Sequence, residues 1–404
     1  MVAAQYNDMN PRPRMHDTPE TYPTSPAPAD TAKLVTLDAI RAAAHVLRGV
    51  VVRTPLLPFG RPIEGDRFGR TRAWLKPESL QPTGAFKLRG AYYNIATLPI
   101  ERRAAGVIAH SSGNHAQGVA RAARLLGVRA VIVMPSDAPR IKVDRVRADG
   151  AEIVVVGPSS EERAERAAEL ARTEGLSLVA PYDDAATITG QGTVGLEIVE
   201  QLAEIEGLGE APDADAAGGD ARSARVDGSG WAADPRGADL GGQGAPFTVL
   251  VPVGGGGLAS GVAVAVKSLR PDAVVLGVEP ELAADARASL TQGRIVTWPA
   301  NQVGRTIADG QRTTHIGRIP FEHLWRYLDG IVTVSEDEIA RAMVRASREA
   351  RLVLEPSGAT ALAAWLFRAP ELAAPGPVVC ILSGGNVDPA RYDELLARGL
   401  AAGG

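Results

Sequence analysis

The sequence predicts an α/β protein of two lobes, each built on a mostly parallel sheet flanked by helices. Two observations carry this. Short Val- and Ile-rich runs alternate with segments of helical periodicity from Gly106 to Leu400, and strands that are apolar along their whole length suit sheets covered on both faces. The loops with unusual chemistry all follow a strand or open a helix, which is where such sheets place ligands. A chain of 404 residues is long enough for two lobes. We expect a larger lobe from residues 34–104 and 183–404 and a smaller one from residues 105–182.

In chain order, residues 1–33 are rich in Pro, Asp, Thr and Ala and lack apolar periodicity and the apolar core of a secretory signal, so a disordered extension is expected. Thr36 to Leu47 has helical spacing, with Leu37, Ile40, Ala44 and Leu47 on one face. Ala73–Leu75 reads as a strand and Phe86–Thr97 as a helix. Strands at 106–110, 130–134, 151–156 and 176–180 then alternate with helices ending near Leu126, Ala148 and Thr173. A helix is expected from Gly192 to Glu206, and the Asp183-Asp184 pair and the Gln191-Gly192 turn as caps. Residues 207–245, full of Ala, Gly, Asp and Arg, read as a disordered insertion. Beyond it come strands at 247–253, 273–278, 331–334 and 377–382. Helices run to Leu269 and over 336–351, 357–367 and 388–400, with Ser335 as a cap.

Composition narrows the function. The net charge is −4 without a basic stripe, which argues against nucleic acid. No apolar run is long enough to span a bilayer. The single cysteine, Cys380, excludes an internal disulfide and a multi-cysteine metal site, and fits a reducing, cytoplasmic setting. Its apolar surroundings, Pro377 to Leu382, make it a buried thiol rather than a nucleophile.

Four loops can carry chemistry. In Gln81-Pro82-Thr83-Gly84-Ala85-Phe86-Lys87, a turn feeds a helix start capped by Thr83, which places Lys87 in the first turn. The helix dipole disfavours an ammonium there, and a free amine can form a Schiff base; an ordinary surface lysine is the plain alternative. Gly254-Gly255-Gly256-Gly257 joins a strand to a helix. Bare N–H groups at a helix start suit a phosphate monoester. A tight turn would need fewer glycines, and neither the Walker nor the dinucleotide spacing is met. Ser111-Ser112-Gly113-Asn114-His115 can hold a carboxylate or simply cap a helix. Ser383, at the end of a strand, can donate to a ligand or form part of a βα turn. Separately, Glu279 and Asp285, with a carbonyl between them, can bind a hard cation or form an exposed acidic turn. Glu355 can face the same site as the loops.

One lysine, one phosphate loop and one Ser/Asn loop together fit pyridoxal phosphate. The segments Thr83 to Ala91, Ser111 to Gly118, Gly190 to Thr193, Pro252 to Leu258, Gly277 to Pro280, Thr306 to Gly310 and Ser383 to Asn386 resemble the threonine/serine dehydratase and serine racemase family, in order, from about Leu34 to Leu400. These are fold-type II pyridoxal-phosphate enzymes, similar in fold to the tryptophan synthase β subunit.

The resemblance implies roles. Lys87 carries the cofactor as a Schiff base and acts as base at the substrate Cα. Phe86 lies beside the cofactor ring and Asn114 bonds its hydroxyl oxygen. Gly254 to Gly257 hold its phosphate. Ser383 faces the ring nitrogen, and a hydroxyl there favours β-elimination. Ser111, Ser112, Gly113, Asn114 and His115 hold the substrate carboxylate, and Ser112 matches the racemase residue on the opposite Cα face. Glu279, the Ala283 carbonyl and Asp285 match a site for a divalent or monovalent cation. The implied reaction converts L-threonine to 2-oxobutanoate and ammonia, and L-serine to pyruvate. Serine racemisation and 3-hydroxyaspartate dehydration are the alternatives. A homo-oligomer, dimer or tetramer, is expected. The family often has Pro-Gly soon after the segment ending at Gly310, whereas Gln311 to Pro320 differs. The chain also stops about twenty residues after Ser383, so the short form, without the C-terminal regulatory domain, is expected.

Overall fold

The computed structural model describes residues 34–60, 73–111, 113–138, 140–158, 160–209, 246–369, 372 and 376–403. In chain order the elements are α1 (Leu37–Val46), β1 (Leu57–Phe59), β2 (Ala73–Pro77), α2 (Lys87–Thr97), α3 (Ile100–Ala105), β3 (Val107–His110), α4 (Asn114–Leu126), β4 (Ala130–Pro135), α5 (Arg140–Ala148), β5 (Glu152–Val156), α6 (Ser160–Glu174) and β6 (Ser177–Leu178). Then follow α7 (Ala185–Gly209), β7 (Thr248–Pro252), α8 (Gly257–Leu269), β8 (Val274–Pro280), α9 (Asp285–Gln292), α10 (Ala300–Val303), α11 (Arg318–Tyr327), β9 (Gly330–Val334), α12 (Glu336–Arg345), α13 (Pro356–Phe367), β10 (Val378–Leu382) and α14 (Pro389–Ala401).

Two sheets result. The first has the order β1-β2-β10-β7-β8-β9, parallel except for the antiparallel edge strand β1. The second, β5-β4-β3-β6, is parallel throughout. Side-chain alternation assigns each strand residue to a face. Val249, Val251, Val379 and Ile381 join one core of the first sheet, and Leu250, Val378, Cys380 and Leu382 the other. In the second sheet Val107, Ala109 and Ile132 face one layer, and Ile108, Val131 and Val133 the other. Both faces of the central strands are therefore dry, as their unbroken apolar sequences require.

Local signals hold where they are strong. Thr36 accepts from the Ala39 N–H and starts α1. Ser335 and Glu338 form a reciprocal capping box on α12. Cys380 is fully buried, and burial raises its thiol pKa, so it stays a protonated packing group. Among the described residues, no helix is long and apolar enough to cross a membrane.

Four readings need correction. Thr83 does not cap α2: Phe86 is the N-cap residue, and the Thr83 hydroxyl donates to the Ala85 carbonyl. Helix α7 begins at Ala185, not Gly192, so Gln191-Gly192 lies inside a helix rather than in a turn. Asp184 does cap it, accepting from the Thr187 N–H at 2.8 Å. The stretch read as an insertion begins later, because α7 runs through Gly209. Its remainder, 210–245, and residues 1–33 lie outside the described residues. After α12 the helix widens into a π turn, Ala346–Ala350, and stops at Arg351, a left-handed residue with φ 60°.

Candidate active site

The site is assembled from loops at the carboxyl ends of strands. Lys87 is the first residue of α2. Its Nζ donates to the Pro181 carbonyl at 2.7 Å and lies 5.1 Å from the centre of the Phe86 ring. Burial lowers its pKa to about 8, so an amine is available near neutral pH. Desolvation of the buried ammonium is the cause of that shift.

The loop of Lys87 is tied to the loop after β10. The Phe86 N–H donates to the Ser383 carbonyl at 3.1 Å, Gly385 N–H to the Gly84 carbonyl at 2.9 Å, and Ala85 bridges Gly384. Ser383 is buried, and its hydroxyl donates to the Ser357 carbonyl at 3.3 Å. A hydroxyl can rotate to serve another acceptor or donor at little cost.

Asn114 opens α4, and its side chain does not cap that helix; Gly113 is the N-cap residue and makes no side-chain cap bond. The Asn114 Nδ2 donates to Glu355 Oε1 at 2.6 Å, while its Oδ1 accepts from Asn386 Nδ2 at 2.8 Å. Ser111 Oγ accepts from the Gly113 N–H at 3.1 Å. His115 is buried, and its Nε2–H donates to the Val179 carbonyl at 2.7 Å. Burial and the nearby Lys87 charge depress its pKa to about 3, so it is a neutral prop beneath the loop. Ser112 lies outside the described residues.

The tetraglycine sits at the start of α8, with Gly256 at φ 92° as the N-cap residue. A side chain is strained at that φ, which explains a glycine there. Among the described residues, the N–H groups of Gly254, Gly255, Gly256 and Gly257 have no protein acceptor, although Gly255 to Gly257 are buried. Unpaired buried donors at a helix start call for an anion. The ring of Tyr182, next to the Lys87 acceptor Pro181, lies so close to Gly255 that a Cβ there would clash with it. Lysine and glycine loop thus meet across residues 181–182. Gln311 closes the far side, donating to the carbonyls of Val253 and Val278. Gly310 N–H donates to Ser357 Oγ at 2.9 Å, which joins the 306–310 segment to the Ser383 end.

Glu279 and Asp285 are buried, so the alternative of an exposed acidic turn falls. Glu279 accepts from the N–H groups of Ala286 and Arg287 at 3.0 and 2.8 Å. Both carboxylate oxygens of Asp285 are buried with no partner among the described residues. Burial, reinforced by the Asp285 charge, raises Glu279 well above the usual carboxylate range, and burial raises Asp285 to about 7. Ala283, between them, is also buried. Bare oxygens beside a second carboxylate fit a cation.

A lysine with a lowered pKa, four unpaired N–H groups and a hydroxyl at the end of a central strand fit pyridoxal phosphate. The family model of pyridoxal-phosphate dependent enzymes matches residues 47–384. The chain belongs to that family. This pyridoxal-phosphate enzyme is 37% identical over 372 residues to the L-threonine ammonia-lyase of Thermotoga maritima, covering 92% of this chain and 80% of the relative. It is 36% identical over 355 residues to the L-threo-3-hydroxyaspartate ammonia-lyase of Saccharomyces cerevisiae, covering 88% of this chain and 94% of the relative. Among solved structures, the T.th. threonine deaminase superposes with a TM-score of 0.72 at 40% identity, over 87% of this chain and 99% of that one. The enzyme therefore has the fold-type II architecture that its motif order implied.

Pro181, Tyr182, Gln311 and Asn386 do not stand out in the sequence. Asn386 was within reach, since it closes the Ser383-Gly384-Gly385-Asn386 segment. The others act through a carbonyl, a ring face and a loop brace, which leave no spacing signal.

Proposed function

We propose that this enzyme is an ammonia-lyase that removes the β-hydroxyl of L-threonine, and of L-serine, to give 2-oxobutanoate or pyruvate and ammonia. The observation that carries the reading is the Lys87 amine, lowered to about 8, beside the unpaired N–H groups of Gly254 to Gly257. The bound cofactor supplies the electron sink for charge left at the substrate Cα. Lys87 Nζ would be its attachment point and, once the substrate amine had displaced it as a free amine, would take the Cα proton. Gly254 to Gly257 hold the phosphate, Phe86 flanks the ring and Asn114 donates to its hydroxyl oxygen. Ser383 meets the ring nitrogen with a neutral hydroxyl, which leaves more charge to expel the β-oxygen. The 111–115 loop binds the substrate carboxylate, with the Ser111 and Ser112 hydroxyls and the Asn114 N–H as donors and Gly113 and His115 as support. The Cβ–O bond breaks with loss of water, and the enamine product tautomerises and takes up water to release ammonia.

Residues 105–182 form a smaller lobe beside the cofactor lobe, 34–104 plus 183–404. A divalent or monovalent cation occupies Glu279, the Ala283 carbonyl and Asp285. The protein works in the cytoplasm as a dimer or tetramer, which native mass measurement tests. A second reading, action on L-threo-3-hydroxyaspartate, is favoured by Arg145, whose guanidinium rests on the neutral amide oxygen of Asn386 beside Asn114. Such a cation suits a second substrate carboxylate.

The test is keto-acid release from L-Thr, L-Ser, D-Ser and L-threo-3-hydroxyaspartate, with chiral analysis of remaining substrate. We expect L-Thr to be preferred, with its configuration retained; racemised serine would assign Ser112 the opposite-face proton. Lys87→Ala should lose the visible absorbance of the bound cofactor and lower turnover by at least about 100-fold. An active Lys87→Ala enzyme would sink the scheme.

A further inference from the structure

Asn386 and Glu355 hold the Asn114 amide, Arg145 and the Thr83 carbonyl hold Asn386 in turn, and the polarity of these contacts is fixed from the ends inward. Arg145, on α5, is only a donor, and its Nη1 meets Asn386 Oδ1. The Thr83 carbonyl is only an acceptor, and it takes the Asn386 Nδ2 at 2.7 Å. Asn386 is therefore held with its oxygen toward Arg145 and its nitrogen toward Thr83 and Asn114. That leaves Asn114 Oδ1 as the acceptor at 2.8 Å and turns Asn114 Nδ2 toward Glu355 Oε1 at 2.6 Å. An amide in isolation can flip; one held between a guanidinium, a carbonyl and a carboxyl cannot do so without breaking two or more bonds.

The surrounding backbone leaves room for this arrangement. A Cβ on Gly384 would clash with Glu355 Oε1 and lie 3.2 Å from Asn114 Nδ2. Asn386 and Glu355 are 7% and 3% exposed, so water cannot substitute freely for their bonds. The partners are 272 and 241 residues apart from Asn114, and the network exists only when both sheets are docked.

We propose that Asn386 is a positioning residue that, together with Glu355, locks the Asn114 amide so that its second Nδ2–H is presented as a donor to the hydroxyl oxygen of the bound cofactor. A donor there stabilises negative charge on that oxygen, whereas a flipped amide would face it with a second lone pair. The inference rests on the assignment of Asn114 to the cofactor in the proposed function. Asn386 does not touch the cofactor and acts through Asn114.

A double-substitution cycle tests this on purified enzyme. Two readouts are followed besides activity: the Kd of pyridoxal phosphate from fluorescence titration of the apoenzyme, and the pH titration of the visible absorbance of the bound cofactor. Asn386→Ala should weaken cofactor binding by about tenfold or more, the scale of one lost hydrogen bond to a charged group, and should move the absorbance titration. Asn386→Asp keeps the volume and the Arg145 contact but cannot donate to Asn114, so it should behave the same way; it also carries the test if Asn386→Ala fails to fold. In an Asn114→Ala background, either Asn386 change should add less than about twofold.

Effects of Asn386 that persist in full in the Asn114→Ala background would overturn the inference and leave the Asn114 assignment standing. Wild-type binding and absorbance in Asn386→Asp would overturn it as well. Unaltered cofactor binding and absorbance in Asn114→Ala alone would instead overturn the Asn114 assignment, and the inference with it.

Discussion

Two buried charged clusters in this protein are equally dry and differently balanced. Lys76, Glu78, Arg89 and Glu197 are each 0–1% exposed along their side chains. Arg89 grips Glu78 through Nε and Nη2, both at 2.8 Å, and Glu197 through Nη1 and Nη2 at 2.6 and 3.0 Å. Lys76 Nζ reaches Glu197 at 2.6 Å, the Thr54 carbonyl at 2.6 Å and Gln201 at 2.9 Å. Two cations face two anions, and each of their side-chain polar atoms has a partner among the described residues. Burial pushes Glu78 up, but the charge and bonds of Arg89 bring it below its ordinary value. Glu279 and Asp285 are as deeply buried, yet both are carboxyl groups whose pKa burial raises, and Asp285 has no partner for either oxygen among the described residues. Burial thus does not separate scaffold from site; neutralisation does. The first cluster is complete and pins α2, with Lys87 at its start, to α7. In the second, two carboxyl groups lie close together, and neither oxygen of Asp285 has a partner among the described residues.

Removing one member of the complete cluster should cost the most. Glu197→Ala leaves Lys76 and Arg89 underpaired in a dry interior, and should lower stability by about 3–5 kcal/mol in urea unfolding. A loss under about 1 kcal/mol would show that the balance is not what stabilises α2.

The incomplete cluster should respond to an added cation. A divalent ion at one hundred times its Kd should raise stability by about 2.7 kcal/mol, and Asp285→Ala should abolish the response. The same gain in Asp285→Ala would place the ion elsewhere.

Without a cation, pH should expose the imbalance. Asp285 titrates near 3.8 in the unfolded chain and at about 7 when folded. Glu355, raised by burial and then by the charge of Asp309, moves from 4.5 to about 8. The folded protein binds more protons than the unfolded chain in these windows, so stability falls as pH rises through them. Asp285→Asn should flatten the fall between pH 3.8 and about 7, and Glu355→Gln the fall between 4.5 and about 8. Each group contributes at most about 1.4 kcal/mol per pH unit. Unchanged slopes in thermal unfolding would contradict the assignment.

The smallest effect belongs to an exposed network. Arg129 bonds Glu152 and Glu174 at 2.7 and 2.8 Å, with side chains 38–56% exposed. Arg129→Gln should cost less than about 1 kcal/mol, and still less at high salt. A cost equal to that of Glu197→Ala would remove burial from the comparison.

Features written in local sequence were legible. The apolar runs give β7 and β10, and Thr36, Ser335 and Asp388 mark helix starts that the fold uses. The tetraglycine stood out because a tight turn needs fewer glycines, and Lys87 stood out only beside that loop, Asn114 and Ser383. The first turns of α7 were hidden because Gly190 and Gly192 read as helix breakers; packing against α2 and α8 overrides that preference. Glu197 was hidden differently. On α7 it looks like one more helix-surface carboxylate, and only the fold brings Arg89, 108 residues away, to meet it. Asn386 was overshadowed by Ser383 in its own segment, since its partners Thr83 and Asn114 lie 303 and 272 residues away.

Strand β10 lies between β2 and β7, although it is the last strand in chain order among the described residues. During synthesis the four-stranded sheet has all its strands once residue 178 has emerged, while the larger sheet must wait for residue 382. Until then β2 and β7 present unpaired edges, which invite pairing with other nascent chains. A ribosome stalled before β10 would therefore release not a shortened enzyme but an aggregation-prone chain, whose smaller sheet alone could be complete. The order of translation, more than the strength of any single contact, sets when this active site can first exist.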